Sequence, residues 1–114
     1  MNEISYRITE QVYEWIINGT KNIEIRLYNE KSSKIKINDI INFKVLNNEE
    51  KSIKAKVIGL LIYKDIESLL IDVNINKVAD VDKITLTDML YNIFGEEKVK
   101  THNIIGIKFE IVGD

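Results

Sequence analysis

The stretch Gly19-Thr20-Lys21-Asn22-Ile23-Glu24-Ile25-Arg26-Leu27 decides how this chain is read. From Asn22 to Tyr28 the apolar Ile23, Ile25 and Leu27 alternate with Asn22, Glu24 and Arg26, the period of two expected of a strand with one face in a core. Glu24 and Arg26 then share the other face, about 6.6 Å apart along the strand, within reach of one small ligand. Gly19 lets the backbone turn and approach closely, and Thr20 and Lys21 fall in a tight connection. Arg26 offers a planar fork for a phosphate, a carboxylate or a base edge. Glu24 can orient Lys21 or Arg26 or accept from an exocyclic amine, and Lys21 adds a mobile point charge. On spacing alone the same residues also fit a solvated strand face whose ion pair is worth at most about 1 kcal/mol.

Upstream of this stretch, Ile4, Tyr6 and Ile8 alternate with polar residues as a short strand, and Thr9 is placed to cap a helix running to about Asn18. Val12, Trp15 and Ile16 give that helix its apolar stripe, and Asn18-Gly19 supplies a left-handed stop. Downstream, Ile35 and Ile37 lead into an Asn38-Asp39 turn, with Ile41, Phe43 and Val45 as the next strand. The polar residues 47 to 51 read as a hairpin loop, and Ser52 to Tyr63 as the return strand. The second half of that strand is apolar throughout, which predicts burial on both sides, and Gly59 marks a bulge. Ile66, Leu69, Leu70 and Val73 behind Asp65 predict a second helix. Thr85 with Asp88 approximates a capping box for a third, whose stripe is Leu86, Met89, Leu90 and Ile93 and whose end is Gly95. Ile105, Ile107, Phe109 and Ile111 close the chain as a strand. The order is that of one α+β domain over residues 1 to 114, with about five or six strands and about three helices. A small, partly open β-barrel is its natural closure, because it removes exposed sheet edges.

Charge and composition narrow the function. The net charge of −2 is too near zero for blanket attraction to a polyanion. Residues 20 to 36 have a local balance of +3 and residues 65 to 97 one of −6, so any nucleic-acid contact is confined to one side. The chain has no cysteine and a single histidine, His102, and its carboxylates show no ligand spacing, so no metal or other cofactor is expected. Neither the start of the sequence nor its longest apolar run, the seven residues Val57 to Tyr63, resembles a signal or a membrane span, and a cytoplasmic location is the expectation. Tyr91, Phe94 and Tyr28 are aromatic candidates for stacking on a base, although such residues serve the core more often.

The helix, the Gly19-to-Leu27 segment and the later Ile35-to-Phe43 stretch together resemble the ASCH domain, a branch of the PUA-like superfamily whose hallmark is G-x-K-x-x-E-x-R. The resemblance runs through nearly the whole chain, with Asn38 standing where the family has a glycine before aspartate. It implies recognition of RNA or a nucleotide-like small molecule in a cleft between barrel and helices, with Lys21, Glu24 and Arg26 as ligand-contacting residues; Tyr91 is added to the site as an aromatic stacking candidate, not by the resemblance. Some relatives are small amidohydrolases of acylated cytidine, and ribonuclease activity has been attributed to others. If the chain is such a hydrolase, Lys21 and Glu24 are the catalytic candidates, but Glu24 stands where the amidohydrolases place a nucleophilic threonine. The distant acid would correspond at best to Asp82. A protein-interaction module without a pocket is the third reading.

Overall fold

Five strands and four helices make up most of residues 2–112, the part of the chain that the computed structural model describes. In chain order they are β1 (Glu3–Ile8), α1 (Glu10–Ile17), β2 (Ile23–Leu27), β3 (Ile40–Val45), β4 (Asn48–Tyr63), α2 (Ile66–Asp72), α3 (Lys83–Phe94), α4 (Glu96–Thr101) and β5 (Ile104–Ile111). The strands form one mixed sheet in the order β1-β3-β4-β5-β2, with β1 parallel to β3 and every other neighbour antiparallel. This is the α+β half-barrel that the alternation pattern implies. Among the described residues, no helix is long and apolar enough to cross a membrane.

The alternation sorts side chains into two apolar layers. Tyr6, Ile8, Phe43, Val57, Ile107 and Phe109 fill the barrel, where the Phe43 and Phe109 rings lie 5.0 Å apart and tilted by 54°. Trp15, Ile23, Ile25, Leu69, Leu86 and Ile104 form a second layer between the sheet and the helices. Strand β2 is thus covered on both sides, and Glu24, on the face opposite Ile23 and Ile25, is buried too. A solvated face for Glu24 is excluded.

Local signals mostly operate as their chemistry requires. Thr9 caps α1 by accepting from the Val12 amide, and Asp65 caps α2 by accepting from Ser68. Asn38 takes φ 77°, and the carboxylate of buried Asp39 closes the turn by accepting from the amides of Asn2 and Lys36. The β4 register shifts between Val57 and Gly59, where the bulge was expected.

Three expectations are corrected, and one helix is added. Asp82, not Thr85, caps α3: its carboxylate accepts from the Thr85 amide, so Thr85 lies inside the first turn. Residues 48 to 51 are not loop but the start of β4; the turn is tighter, with Asn47 at φ 64°, and a register shift at Lys44 and Val45 absorbs the extra length. The apolar end of β4 is not buried on both sides: Ile58 and Ile62 are about half exposed. The polar run Glu96–Thr101 forms the fourth helix, α4, after Gly95 breaks α3 at φ 86°.

Candidate ligand site

Lys21 reaches its place because α1 ends early. Gly19 turns at φ 86°, the Lys21 amide donates back to the Trp15 carbonyl, and the side chain is left pointing into the protein, where it is 6% exposed. Its ammonium makes three contacts: the Ile23 carbonyl at 2.7 Å, the Val78 carbonyl at 2.9 Å and Glu24 Oε1 at 3.0 Å. An ammonium has three protons to give, so this one is fully used. Lys21 is therefore not the mobile charge that sequence reasoning suggested. It ties β2 to the segment before α3, a link reinforced by the Asn22 amide donating to the Lys77 carbonyl.

The other carboxylate oxygen of Glu24 receives Arg26, with Nε at 3.0 Å and Nη2 at 2.7 Å. Burial pushes the Glu24 carboxyl up, but the charges and hydrogen bonds of Lys21 and Arg26 outweigh it and hold the group below the usual glutamate range. Glu24 is an anion at neutral pH, flanked by two cations.

Arg26 faces the open side of the half-barrel. Strands β1 and β2 are the two sheet edges and do not pair with each other, yet Arg26 Nη2 crosses to the Arg7 carbonyl at 3.1 Å. Its guanidinium carbon lies 4.2 Å from the centre of the Tyr6 ring, and Lys31 Nζ lies 4.3 Å from the same ring while donating to the Ser5 carbonyl. Burial, and then the Arg26 charge, depress Lys31. Burial pushes the Tyr6 hydroxyl up against the lowering pull of Arg26. Two cations from the β2 side thus clip the seam to β1. Nη1 of Arg26 has no hydrogen-bond partner among the described residues.

A cavity of about 240 Å³ opens beside this network. Lys21, Glu24 and Arg26 line one part of it, Val12 and Trp15 of α1 another, and Leu86, Met89, Leu90, Ile93 and Phe94 of α3 the far wall. Ile93, 67% exposed, stands at the mouth. Arg7 lies on the rim, its side chain 69% exposed and 3.2 Å from Glu49.

The structure brings the three hallmark residues and Phe94 to one cavity and leaves the other candidates elsewhere. Tyr91 does not line this cavity; its hydroxyl donates to Glu67 of α2 at 2.7 Å, and Phe94, about one turn on, lines it instead. Asp82 serves α3 as a cap. His102 turns its ring toward the Thr101 hydroxyl and the Lys98 carbonyl. Tyr28 packs against the barrel core. Sequence reasoning found the α3 stripe as an apolar face without assigning it to a site, and the structure makes Leu86, Met89, Leu90 and Ile93 cavity wall. The partnership of Arg26 with Tyr6 and the Arg7 carbonyl had no signal, since it joins residues about twenty apart only after the barrel forms.

Comparison with solved structures places the fold. The chain is similar to the crystal structure of the hypothetical protein PH0355, with a TM-score of 0.83, 29% identity and coverage of 96% of this chain and 99% of that one. It is also similar to the solution structure of a protein from Pyrococcus furiosus, with a TM-score of 0.74, 27% identity and coverage of 98% and 99%. The ASCH protein of Zymomonas mobilis matches over 96% of this chain and 67% of its own, with a TM-score of 0.68 and 13% identity. No family model matches the sequence, and no curated protein does. The resemblance to ASCH domains seen in the sequence holds for the fold: this chain has the ASCH-type half-barrel with its helical layer.

Proposed function

We propose that the chain binds one base-sized group of a nucleotide or of single-stranded RNA in the cavity between β2, α1 and α3. The observation that carries this reading is a small apolar cavity ending on buried Glu24 and its part-buried partner Arg26, with one guanidinium nitrogen left unengaged. At about 240 Å³ the space is below the range of about 300 to 1,000 Å³ typical of drug-sized ligands, which suits a single ring system better than a dinucleotide. Trp15, Met89 and Phe94 supply apolar and aromatic wall for a flat ring.

Charge favours a small ligand, or one unstacked base, over a polyanion lying along the surface. Of the five cations in residues 20 to 36, Lys21 is spent inside, Arg26 and Lys31 serve the seam, Lys34 pairs with Glu30, and Lys36 alone has no ion-pair or seam role among the described residues. On the outer face of the sheet, Lys54 and Lys56 are matched by Glu3 and Glu110. Binding that depends on many phosphate contacts needs cations that are not already neutralised.

A hydrolytic role would ask Glu24 to move a proton. A carboxylate held below its ordinary range between two cations is a weak base, so the reading gives Glu24 the task of aiming Arg26. The test is an amide NMR titration with plain and modified nucleosides and short single-stranded RNAs, with ligand signals followed over hours. Saturable shifts on residues 24 to 26 and 86 to 94 are expected, lost in an Ile93→Glu variant that alters only the exposed mouth. Shifts confined to other surfaces would refute the reading, and new product signals would turn it toward the hydrolase.

A further inference from the structure

The polar side chains around the cavity differ in what they have left to offer a ligand. Lys21 has given its three protons to Ile23, Val78 and Glu24. Glu24, 7% exposed, meets Lys21 with one oxygen and Arg26 with the other. Thr9 uses one of its two lone pairs to accept from the Val12 amide, and its hydroxyl proton remains to give. Arg7 and Arg26 carry donors only, and the two protons on Arg26 Nη1 are unassigned among the described residues. Three cations stand against one carboxylate, and most of the remaining wall is apolar. The spare capacity that carries a charge is therefore on the donor side, at Arg26 Nη1, against a lone pair each on buried Glu24 Oε1 and on Thr9.

We infer that the group entering the cavity presents an acceptor edge to Arg26, a ring carbonyl, so that a keto base is selected over an amino base. The inference rests on the cavity reading above and names the chemistry of its ligand. An amino group at the same place would set donor against donor, in a small apolar space where neither finds water. The charged Arg26 nitrogen would lose its hydration with nothing in return. A carbonyl there gains a charge-assisted bond, and Arg26 cannot swing away to accommodate an amine, because Glu24, the Arg7 carbonyl and the Tyr6 ring hold it on three sides.

Inosine and adenosine make the test. They share the ribose and the purine frame, and differ in a carbonyl against an amino group at one ring carbon, with the matching change at the adjoining nitrogen. Titrated separately into the labelled protein, inosine is expected to bind at least about tenfold more tightly, the low end of the discrimination a matched polar edge provides. Both are expected to weaken in parallel in Ile93→Glu. Equal affinity, or tighter adenosine, with shifts still on residues 24 to 26 and 86 to 94, overturns the keto preference and leaves the cavity reading standing. No saturable cavity shifts with either nucleoside overturns the cavity reading and this inference with it.

Discussion

The floor of the cavity and the outer face of the sheet are both furnished with Lys or Arg beside Glu, and the difference between them shows what burial does to one chemistry. On the sheet, Lys54 and Glu3 approach to 3.5 Å with both side chains about half exposed, so water screens the pair and each partner remains free to leave. On the floor, Lys21, Glu24 and Arg26 approach to 3.0 and 2.7 Å with little exposure, and every charge depends on the next. Taking such charges out of water costs several kcal/mol for each ion, and the arrangement persists because the Ile23 and Val78 carbonyls take the other Lys21 protons and the Arg7 carbonyl takes one from Arg26 Nη2. The trio fastens three parts of the fold together: the entry to β2, the segment before α3, and the seam to β1.

The largest effect should come from removing the shared anion. Glu24→Ala leaves two cations facing each other, one deeply buried, and is expected to cost about 3 to 5 kcal/mol in urea unfolding. A loss below about 1 kcal/mol would place the trio in the same class as the surface pairs and end the contrast.

Acid sharpens the comparison further. The folded-state pKa of Glu24 is depressed, so its contribution is fully present above the unfolded value of about 4.5 and is lost as pH falls through the lower folded value. Stability of the native chain should therefore fall more steeply below pH ~4.5 than that of Glu24→Gln, measured by urea midpoints across that range. Parallel acid limbs would mean that Glu24 keeps an ordinary pKa in the folded protein. At the small end, Lys54→Ala is expected to change stability by less than about 1 kcal/mol, with even that difference shrinking in high salt.

This contrast also marks how far the sequence could be read. The strand period of residues 22 to 28 put Glu24 and Arg26 on one face correctly, and Thr9, Asn38 and Gly59 announced a cap, a turn and a bulge through their own local chemistry. Burial of the Glu24 face was not legible. It comes from α3 and β1, elements distant in sequence, and alternation of polar and apolar residues cannot distinguish solvent from a polar network. The same limit produced the opposite error at Ile58 and Ile62, where an apolar run implied covering on both sides and both side chains stay about half exposed. Thr85 and Asp82 are both competent caps a few residues apart, and the choice fell to Asp82, which accepts from the Thr85 amide. Of the site itself, the hallmark residues were legible as a group. Their division of labour was not, since Lys21 is removed from solvent by the Val78 carbonyl, a backbone group that leaves no trace in residue type.

That division of labour is the centre of the account: Lys21 holds the frame, and Arg26 is the group proposed to meet the ligand. Side-chain nitrogen NMR of the Lys21 ammonium and the Arg26 guanidinium, recorded together during an inosine titration, tests it most directly. The account predicts a slowly exchanging Lys21 signal that stays in place while the Arg26 Nη signals shift to saturation. A Lys21 signal that moves with ligand while Arg26 stays fixed would contradict it.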